Sequence, residues 1–141
     1  MQWAEFHEAA RAISWLAYLG TADADGRPHV SVVSPGLGIE GTIWFATRAS
    51  SKKARNIGEN PAVAFHWPVG GQGPGELVAR GTATIHGAQE DRDRLWDAGV
   101  VPFDLAGFFG SKENPDLVFV EVAVERARLL GPEFIPLVWT P

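Results

Sequence analysis

Four of the chain's 12 lysines and arginines lie within eight residues of one another: Arg48, Lys52, Lys53 and Arg55. The protein as a whole is acidic, with a formal net charge of −5. The cluster follows the β-rich run Thr42–Thr47 and enters a short predicted helix. Helix N-termini present unpaired N–H groups and the positive end of the peptide dipole, so phosphate binds there readily. The sequence therefore predicts a site for one compact anion, with a solvated, positively charged helical turn as the alternative.

Two serines stand immediately before this predicted helix. Ser50 and Ser51 are good N-cap residues, and their hydroxyls can also donate hydrogen bonds to phosphate oxygens. The helix is expected to end at Asn60-Pro61, because the residue before a proline disfavours the α conformation. The anion site is thus expected where a strand ends and a short helix begins.

Residues for self-sufficient catalysis are not grouped anywhere in the sequence. Cysteine is absent, which excludes disulfides, thiolate zinc sites and cysteine nucleophiles. The four histidines have no metal-ligand spacing, and no Gly-x-Ser-x-Gly elbow occurs. We therefore predict no metal site and no catalytic residue, and expect any enzymatic activity to depend on a bound cofactor.

The composition is that of an ordinary globular protein. The 141 residues are 45% hydrophobic and 21% charged, which favours one domain over residues 1–141. A pI near 5.3 argues against nucleic-acid binding, which needs a broad basic face. No run approaches the roughly 18 apolar residues of a membrane span, and the N-terminus lacks the pattern of a signal peptide. The expected location is cytoplasmic, without a nucleic-acid or membrane partner.

The order of predicted elements is typical of a small antiparallel β protein. Strands are predicted at Trp15–Ala22, His29–Ser34, Thr42–Thr47, Ala62–Trp67, Glu76–His86 and Leu117–Leu130. Helices are predicted at Trp3–Ile13, after Ser51 and at Ala88–Asp97, with a loop at Pro68–Gly75 and an aromatic, turn-rich segment at Val100–Pro115. Short turns between successive strands favour an antiparallel barrel or Greek key with helical covers. The apolar tail around Trp139 is predicted to have little room inside one small domain.

Two stretches of the chain resemble a known family. The order DGRPHVSVVS, a loop, TIWFATRASSKKARNIGENPAVAFHW and then ELVARGTATI resembles the pyridoxamine 5′-phosphate oxidase-like, flavin-binding split barrels, from about Trp15 to His86. The stretch RDRLWD…PFDLAGFFGSKENPDLVFVEV resembles the general-stress-protein branch of that family. The resemblance implies a six-stranded antiparallel split barrel that forms a homodimer, with FMN at the subunit interface.

The resemblance also implies which residues bind FMN. The second strand would lie beside the flavin ring through its backbone at Ser31, Val32, Val33 and Ser34. The third strand would close against the flavin with Ala46 and Thr47, and the phosphate would be held by Ser51, Lys52 and Lys53. Help from Arg48, Arg55 and Asn56 is a weaker implication, and the partner subunit would complete the pocket and receive the Trp139 tail. Trp44 and Trp67 are expected to be core or interface residues.

Departures from the family pattern set limits on the activity. Ser31 stands where true pyridoxamine phosphate oxidases carry an Arg, Glu76 stands where they carry a Gln, and a C-terminal Trp-x-x-x-Arg/His motif is not evident. The resemblance thus implies an FMN-dependent oxidoreductase with a small-molecule redox substrate, and not a true pyridoxamine phosphate oxidase. One alternative is a reductase that uses the deazaflavin coenzyme F-420, because Lys53–Ile57 also resembles that branch. The other is a flavin- or haem-binding module without turnover.

Overall fold

The structure, a computed structural model, describes residues 1–68, 75–131 and 133–141. Within these ranges it contains four helices: α1 (Trp3–Ile13), α2 (Lys52–Glu59), α3 (Gln89–Ala98) and α4 (Leu105–Phe109). It also contains seven strands: β1 (Ala17–Ala22), β2 (Pro28–Val33), β3 (Thr42–Arg48), β4 (Ala62–Trp67), β5 (Glu76–His86), β6 (Leu117–Leu130) and β7 (Pro136–Trp139). The predicted loop Pro68–Gly75 falls mostly on residues 69–74, which lie outside the described ranges.

The strands form one antiparallel sheet in the order β2-β1-β4-β5-β6-β3, and β7 also pairs with β6. The long strand β6 organises the sheet, because it pairs with β5 along one edge and with both β3 and β7 along the other. Gly36 and Trp44 exchange backbone hydrogen bonds, which ties the β2–β3 connection to β3. This architecture confirms the predicted mainly β, antiparallel fold with short helices.

A glycine in β5 allows the close contact between β5 and β6. The register shifts between Arg80 and Gly81, and a Cβ built on Gly81 would lie 2.1 Å from the carbonyl oxygen of Ala123. No side chain fits so close to backbone, so glycine is required there. Gly81 therefore marks a β-bulge where the two strands approach closely.

The main hydrophobic core lies inside the curved sheet and is covered at one side by α1. The predicted helix Trp3–Ile13 is confirmed, and one face of it is apolar, since Trp3, Phe6 and Ala10 are buried and Ile13 packs against the core. Phe6 packs edge-to-face on Trp67, with ring centroids 5.4 Å apart. Trp67 is therefore a core residue, as expected.

A second, smaller core lies on the other face of β3. Trp44 points there, away from the main core, and packs with Leu95 of α3 and with Leu105 and Phe109 of α4. The helix α4 was not predicted. It begins at Asp104, whose carboxylate accepts a hydrogen bond of 3.0 Å from the Gly107 N–H. The segment between α3 and β6 is thus a packed cap on the sheet.

The prediction for the C-terminal tail was wrong. Instead of remaining outside the fold, Pro136–Trp139 adds β7 to β6, so the sheet has seven strands where six were predicted. Trp139 is buried against Trp3, with ring centroids 4.9 Å apart, and it also lies over Gly41. Gly41 has a positive φ of 74°, and a Cβ there would lie 3.1 Å from the Trp139 ring. Backbone pairing to β6 and a space beside α1 provide the room that the composition did not predict.

Candidate functional site

The junction of β3 and α2 gathers two hydroxyls and one ammonium group. Ser51 is the N-cap of α2, and its Oγ accepts a hydrogen bond of 3.2 Å from the Ala54 N–H. The Thr47 hydroxyl donates to Ser51 Oγ over 3.2 Å, and Lys53 Nζ donates to Thr47 Oγ1 over 3.4 Å. The N-cap role predicted for Ser51 is confirmed, and α2 ends at Glu59 with Asn60 as its C-cap.

Lys53 supplies the ammonium group of this junction. Its side chain is partly buried, and desolvation lowers the pKa of its ammonium group. No carboxylate among the described residues forms a salt bridge with it. A buried charge is stabilised when an opposite charge approaches, so an anion placed here would interact favourably with Lys53.

A second set of contacts fixes the turn between β3 and α2. The backbone N–H and the hydroxyl of Ser50 donate to the two carboxylate oxygens of Asp116, over 2.9 and 2.8 Å. Arg48 lies 3.7 Å from the same carboxylate and stacks over Phe108, 4.9 Å from the ring centroid. Ser50 is thus engaged by Asp116, while the hydroxyls of Thr47 and Ser51 lie beside Lys53.

This contact predicts a pH dependence. The hydrogen bonds from Ser50, and then the charge of Arg48, hold the pKa of Asp116 below its ordinary value. A lowered folded-state pKa stabilises the fold above the unfolded-state pKa of about 3.9, and this contribution is lost as pH falls through the lowered value. We expect the free energy of unfolding, measured by urea denaturation, to fall less in Asp116→Asn than in the wild type as the pH is lowered from 5 to 2. Parallel losses in the two proteins would contradict it.

The junction opens into a cavity of about 320 Å³, which we call the first cavity. Its lining comes from three parts of the chain that the fold brings together: Leu16, Val32, Val33 and Ser34 near β1 and β2; Ala46, Thr47, Arg48, Ser50, Ser51 and Lys53 around β3 and α2; and Phe103 and Phe108 from the cap. One end is cationic and rich in hydroxyls, while the rest is mostly apolar. A molecule with an anionic end and a flat, apolar body suits such a cavity.

The fold brings most of the residues predicted to bind FMN to this cavity. Seven of them line it: Val32, Val33, Ser34, Ala46, Thr47, Ser51 and Lys53. Two are not in its lining. Lys52 is exposed on α2. Ser31 pairs with Leu19 on β1, and its buried hydroxyl has no hydrogen-bond partner among the described residues.

Sequence reasoning did not identify Leu16, Phe103 and Phe108 as lining residues. The two phenylalanines follow α2 by more than 40 residues, and only the packing of the cap places them at the cavity. The aromatic content of Val100–Pro115 was the available signal. Asn56, a weaker candidate, is buried and donates to the Thr21 hydroxyl over 3.1 Å. That contact gives Asn56 a structural partner.

The described residues provide neither a metal-binding group nor a membrane-spanning helix. In residues 1–68, 75–131 and 133–141, no three histidine, aspartate or glutamate side chains are grouped to hold a metal ion. None of the helices described above has the length and apolar character to cross a membrane.

Comparisons with known proteins place this geometry in context. The family model for pyridoxamine 5′-phosphate oxidase matches residues 5–131. General stress protein 26 of Bacillus subtilis is 29% identical over 111 residues. The match covers 75% of this chain and 73% of that protein. The family model runs across β1 to β6, α2 and the cap, so it includes every residue of the cavity lining.

Two solved structures share the fold at low sequence identity. A pyridoxamine 5′-phosphate oxidase-related, FMN-binding protein from Nostoc punctiforme aligns with a TM-score of 0.66 and 14% identity, covering 98% of this chain and 93% of that one. The heme storage protein of Vibrio cholerae aligns with a TM-score of 0.66 and 16% identity, covering 99% and 95%. These alignments confirm the split-barrel fold, and of the two neighbours one binds FMN and the other stores haem.

Proposed function

The chain belongs to the pyridoxamine 5′-phosphate oxidase family, and we propose that it binds FMN in the first cavity and works as an FMN-dependent oxidoreductase. The observation that carries this proposal is the cavity itself. At one end of the cavity Lys53, which forms no salt bridge with any described residue, lies beside the hydroxyls of Thr47 and Ser51. The remaining wall is largely apolar. FMN has the matching form, with a phosphate dianion at one end and a flat ring system at the other.

The residues of the cavity have distinct parts in this proposal. The phosphate would be held by the Lys53 ammonium, the Ser51 hydroxyl and the N-terminal end of α2, where the peptide dipole also favours an anion. The segment Val32–Ser34 and the cap residue Phe103 would enclose the ring and exclude water from it. When bound, FMN supplies hydride and electron transfer, while the protein binds the flavin, orients it and sets its potential.

Haem is the second candidate cofactor, because a heme storage protein shares the fold. Haem iron is held by histidine, cysteine, methionine or tyrosine. None of these residue types is in the lining of the first cavity, as far as the described residues define it. His86 lies instead beside Asp91 and Glu121. The donor set of this chain therefore favours FMN.

The deazaflavin F-420 is the other alternative cofactor. Its tail carries extra carboxylates, so its pocket needs positive charge along its length. In the first cavity the cationic side chains are Arg48 and Lys53, both at the α2 end. Arg48 is already paired with Asp116. Among the described residues, this leaves Lys53 as the cation of the lining without a salt bridge, which suits a single phosphate better than a phosphate followed by carboxylates.

Glu76 supports the view that this chain is not a true pyridoxamine phosphate oxidase. Its carboxylate accepts a hydrogen bond of 2.7 Å from Arg128 and lies 3.7 Å from His66. It is absent from the lining of the first cavity. A side chain engaged in this surface ion pair cannot readily replace the Gln that the resemblance places against the flavin.

We also propose that the chain is a homodimer. An apolar patch of exposed side chains, Tyr18, Val30 and Val32, lies on the outer face of β1 and β2, where Tyr18 is directly opposite Val32. Val30 is 65% exposed, and exposed apolar patches of this kind mark interaction sites. Val32 also lines the first cavity, so a second subunit seated on this patch would lie next to the cofactor.

The dimer proposal predicts that Val30→Lys shifts the protein from dimer to monomer, because a lysine would be desolvated in the interface. The mass in solution, from light scattering after gel filtration, measures this. Ala4→Lys adds the same charge at an exposed position of α1 and should remain dimeric. A Val30→Lys protein with the wild-type dimer mass would contradict the placement of the interface.

The oxidoreductase proposal is tested by the reduction of bound FMN. Under anaerobic conditions, NADH and NADPH should each be tried against the FMN-loaded protein and against free FMN. We expect at least one nicotinamide to reduce the bound flavin faster than it reduces free FMN. The loss of visible flavin absorption measures the rate. Bound FMN that is reduced no faster than free FMN by either donor would favour the binding module without turnover.

A further inference from the structure

A second cavity, of about 430 Å³, lies beside the first. It is formed between the C-terminal half of α1, the β2–β3 connection and the segment after α3. Its lining is His7, Arg11, Trp15, Gly36, Leu37, Gly38, Ile39, Trp44, Ala98, Gly99, Val100 and Pro102. This volume is within the range of about 300–1,000 Å³ that is usual for small-molecule sites.

Arg11 is the charged group of this cavity. Its Nη2 donates to the Pro35 carbonyl oxygen over 2.7 Å, which leaves Nη1 buried without a hydrogen-bond partner among the described residues. The guanidinium lies 4.3 Å from the centroid of the Trp15 ring, and desolvation lowers its pKa. No carboxylate in the described ranges pairs with it. An unpaired, partly buried cation is unexpected in a chain of net charge −5.

The remaining wall indicates what kind of anion would fit. Among the described residues the lining contains no acidic side chain, and the large apolar side chains Trp15, Leu37 and Ile39 form much of it. Trp44 also lines the cavity, and its buried Nε1 has no hydrogen-bond partner among the described residues. A buried donor without a partner carries an energetic penalty, so a ligand with an acceptor oxygen beside Arg11 would remove one.

We propose that the second cavity binds a small aromatic carboxylate. Its carboxylate would pair with Arg11, for which guanidinium–carboxylate geometry is well suited, and its ring would lie among the apolar side chains of the wall. A single-ring acid is small enough for the cavity, and a carboxamide of the same shape lacks the charge that Arg11 requires.

The two cavities are close neighbours. Trp15 lines the second and Leu16 the first, and the same holds for Pro102 and Phe103. A carboxylate bound in the second cavity would therefore lie near a flavin bound in the first. Its role as the redox substrate would depend on the proposed function, but its binding does not.

The test is calorimetric titration of the protein with trans-cinnamate and with the uncharged cinnamamide. We expect cinnamate to bind with one site per chain, and cinnamamide to bind at least about 10-fold more weakly, the scale of a charge-assisted hydrogen bond. Both the FMN-free and the FMN-loaded protein are titrated, so a failure to bind FMN is separated from a failure of the second cavity. No detectable cinnamate binding, or equal binding of the amide, would overturn the proposal.

Two variants assign the binding to this cavity. Arg11→Gln should weaken cinnamate binding at least about 10-fold. Gly38→Leu should abolish it without touching Arg11, because a Cβ on Gly38 meets nothing within 4 Å and the added side chain would fill the cavity. Gly131→Leu, at another open glycine outside both cavities, should bind like the wild type. Unchanged cinnamate binding in Gly38→Leu would contradict the assignment. A change in the oligomeric mass of Gly38→Leu would also contradict it, because it would identify the cavity as a contact between subunits.

Discussion

Replacing Lys53 by Met is expected to weaken FMN binding by roughly 10- to 100-fold, the equivalent of a charge-assisted hydrogen bond worth about 1.5–3 kcal/mol. Lys53 lines the first cavity, forms no salt bridge with any described residue and already contacts the Thr47 hydroxyl. Met keeps the length and apolar stem of the side chain, so only the ammonium group is removed. Titration of the FMN-free protein, followed by the quenching of flavin fluorescence, measures the affinity.

The neighbouring lysine is the matched control. Lys52→Met removes the same charge from an exposed position outside the lining of the cavity, so its effect on FMN affinity should be much smaller. A second readout separates binding from folding. Because burial already disfavours the charged form of Lys53, the FMN-free Lys53→Met protein should be at least as thermally stable as the wild type. Equal losses of affinity in the two variants would place the phosphate elsewhere.

Gly36→Ala is expected to destabilise the protein by at least about 2 kcal/mol, because inserting atoms into a packed site forces shifts of the backbone. A Cβ on Gly36 would lie 1.8 Å from the Val100 carbonyl oxygen. Neither atom can rotate away, because the Cβ is bonded directly to the Cα and the oxygen is part of the backbone. Gly36 also bonds to Trp44 of β3. The substitution would therefore separate the cap from the sheet, and it should reduce FMN affinity as well, since the cap carries Phe103 and Phe108.

Gly38 provides the control for this prediction. It lies two residues further along the same connection, and a Cβ there meets nothing within 4 Å. The free energy of unfolding of Gly38→Ala should therefore be within about 0.5 kcal/mol of the wild-type value. Thermal unfolding of the three proteins measures both effects, and a loss of about 2 kcal/mol should lower the melting temperature by roughly 5–10 °C. Similar melting temperatures for Gly36→Ala and Gly38→Ala would show that the contact with Val100 is not tight.

The parts of the site that were predicted from sequence are local in the chain. Thr47, Ser51 and Lys53 fall within seven residues, so a strand, an N-cap and one helical turn are enough to bring them together. The strands could also be predicted from sequence, because alternating burial leaves a clear pattern in β4 and β5.

The features that were missed depend on long-range packing. The helix α4 has only five residues, too few for a periodic pattern, and Phe108 reaches the first cavity through the packing of the cap. The apolar tail was expected on a partner subunit because composition cannot show that β6 has a free edge for Pro136–Trp139. Likewise, Arg11 is an ordinary helical arginine in the sequence, and only the fold places it in a cavity.

The measurement that tests the central claim most directly is the visible absorption spectrum of the purified protein, taken before and after incubation with excess FMN and removal of the unbound part. We predict flavin absorption that is retained at about one FMN per chain in the wild type and is reduced in Lys53→Met. A colourless protein that retains no FMN would contradict the proposal that the first cavity is a flavin site. The same spectrum taken after incubation with haem distinguishes the second candidate cofactor, because bound haem has an intense absorption band of its own.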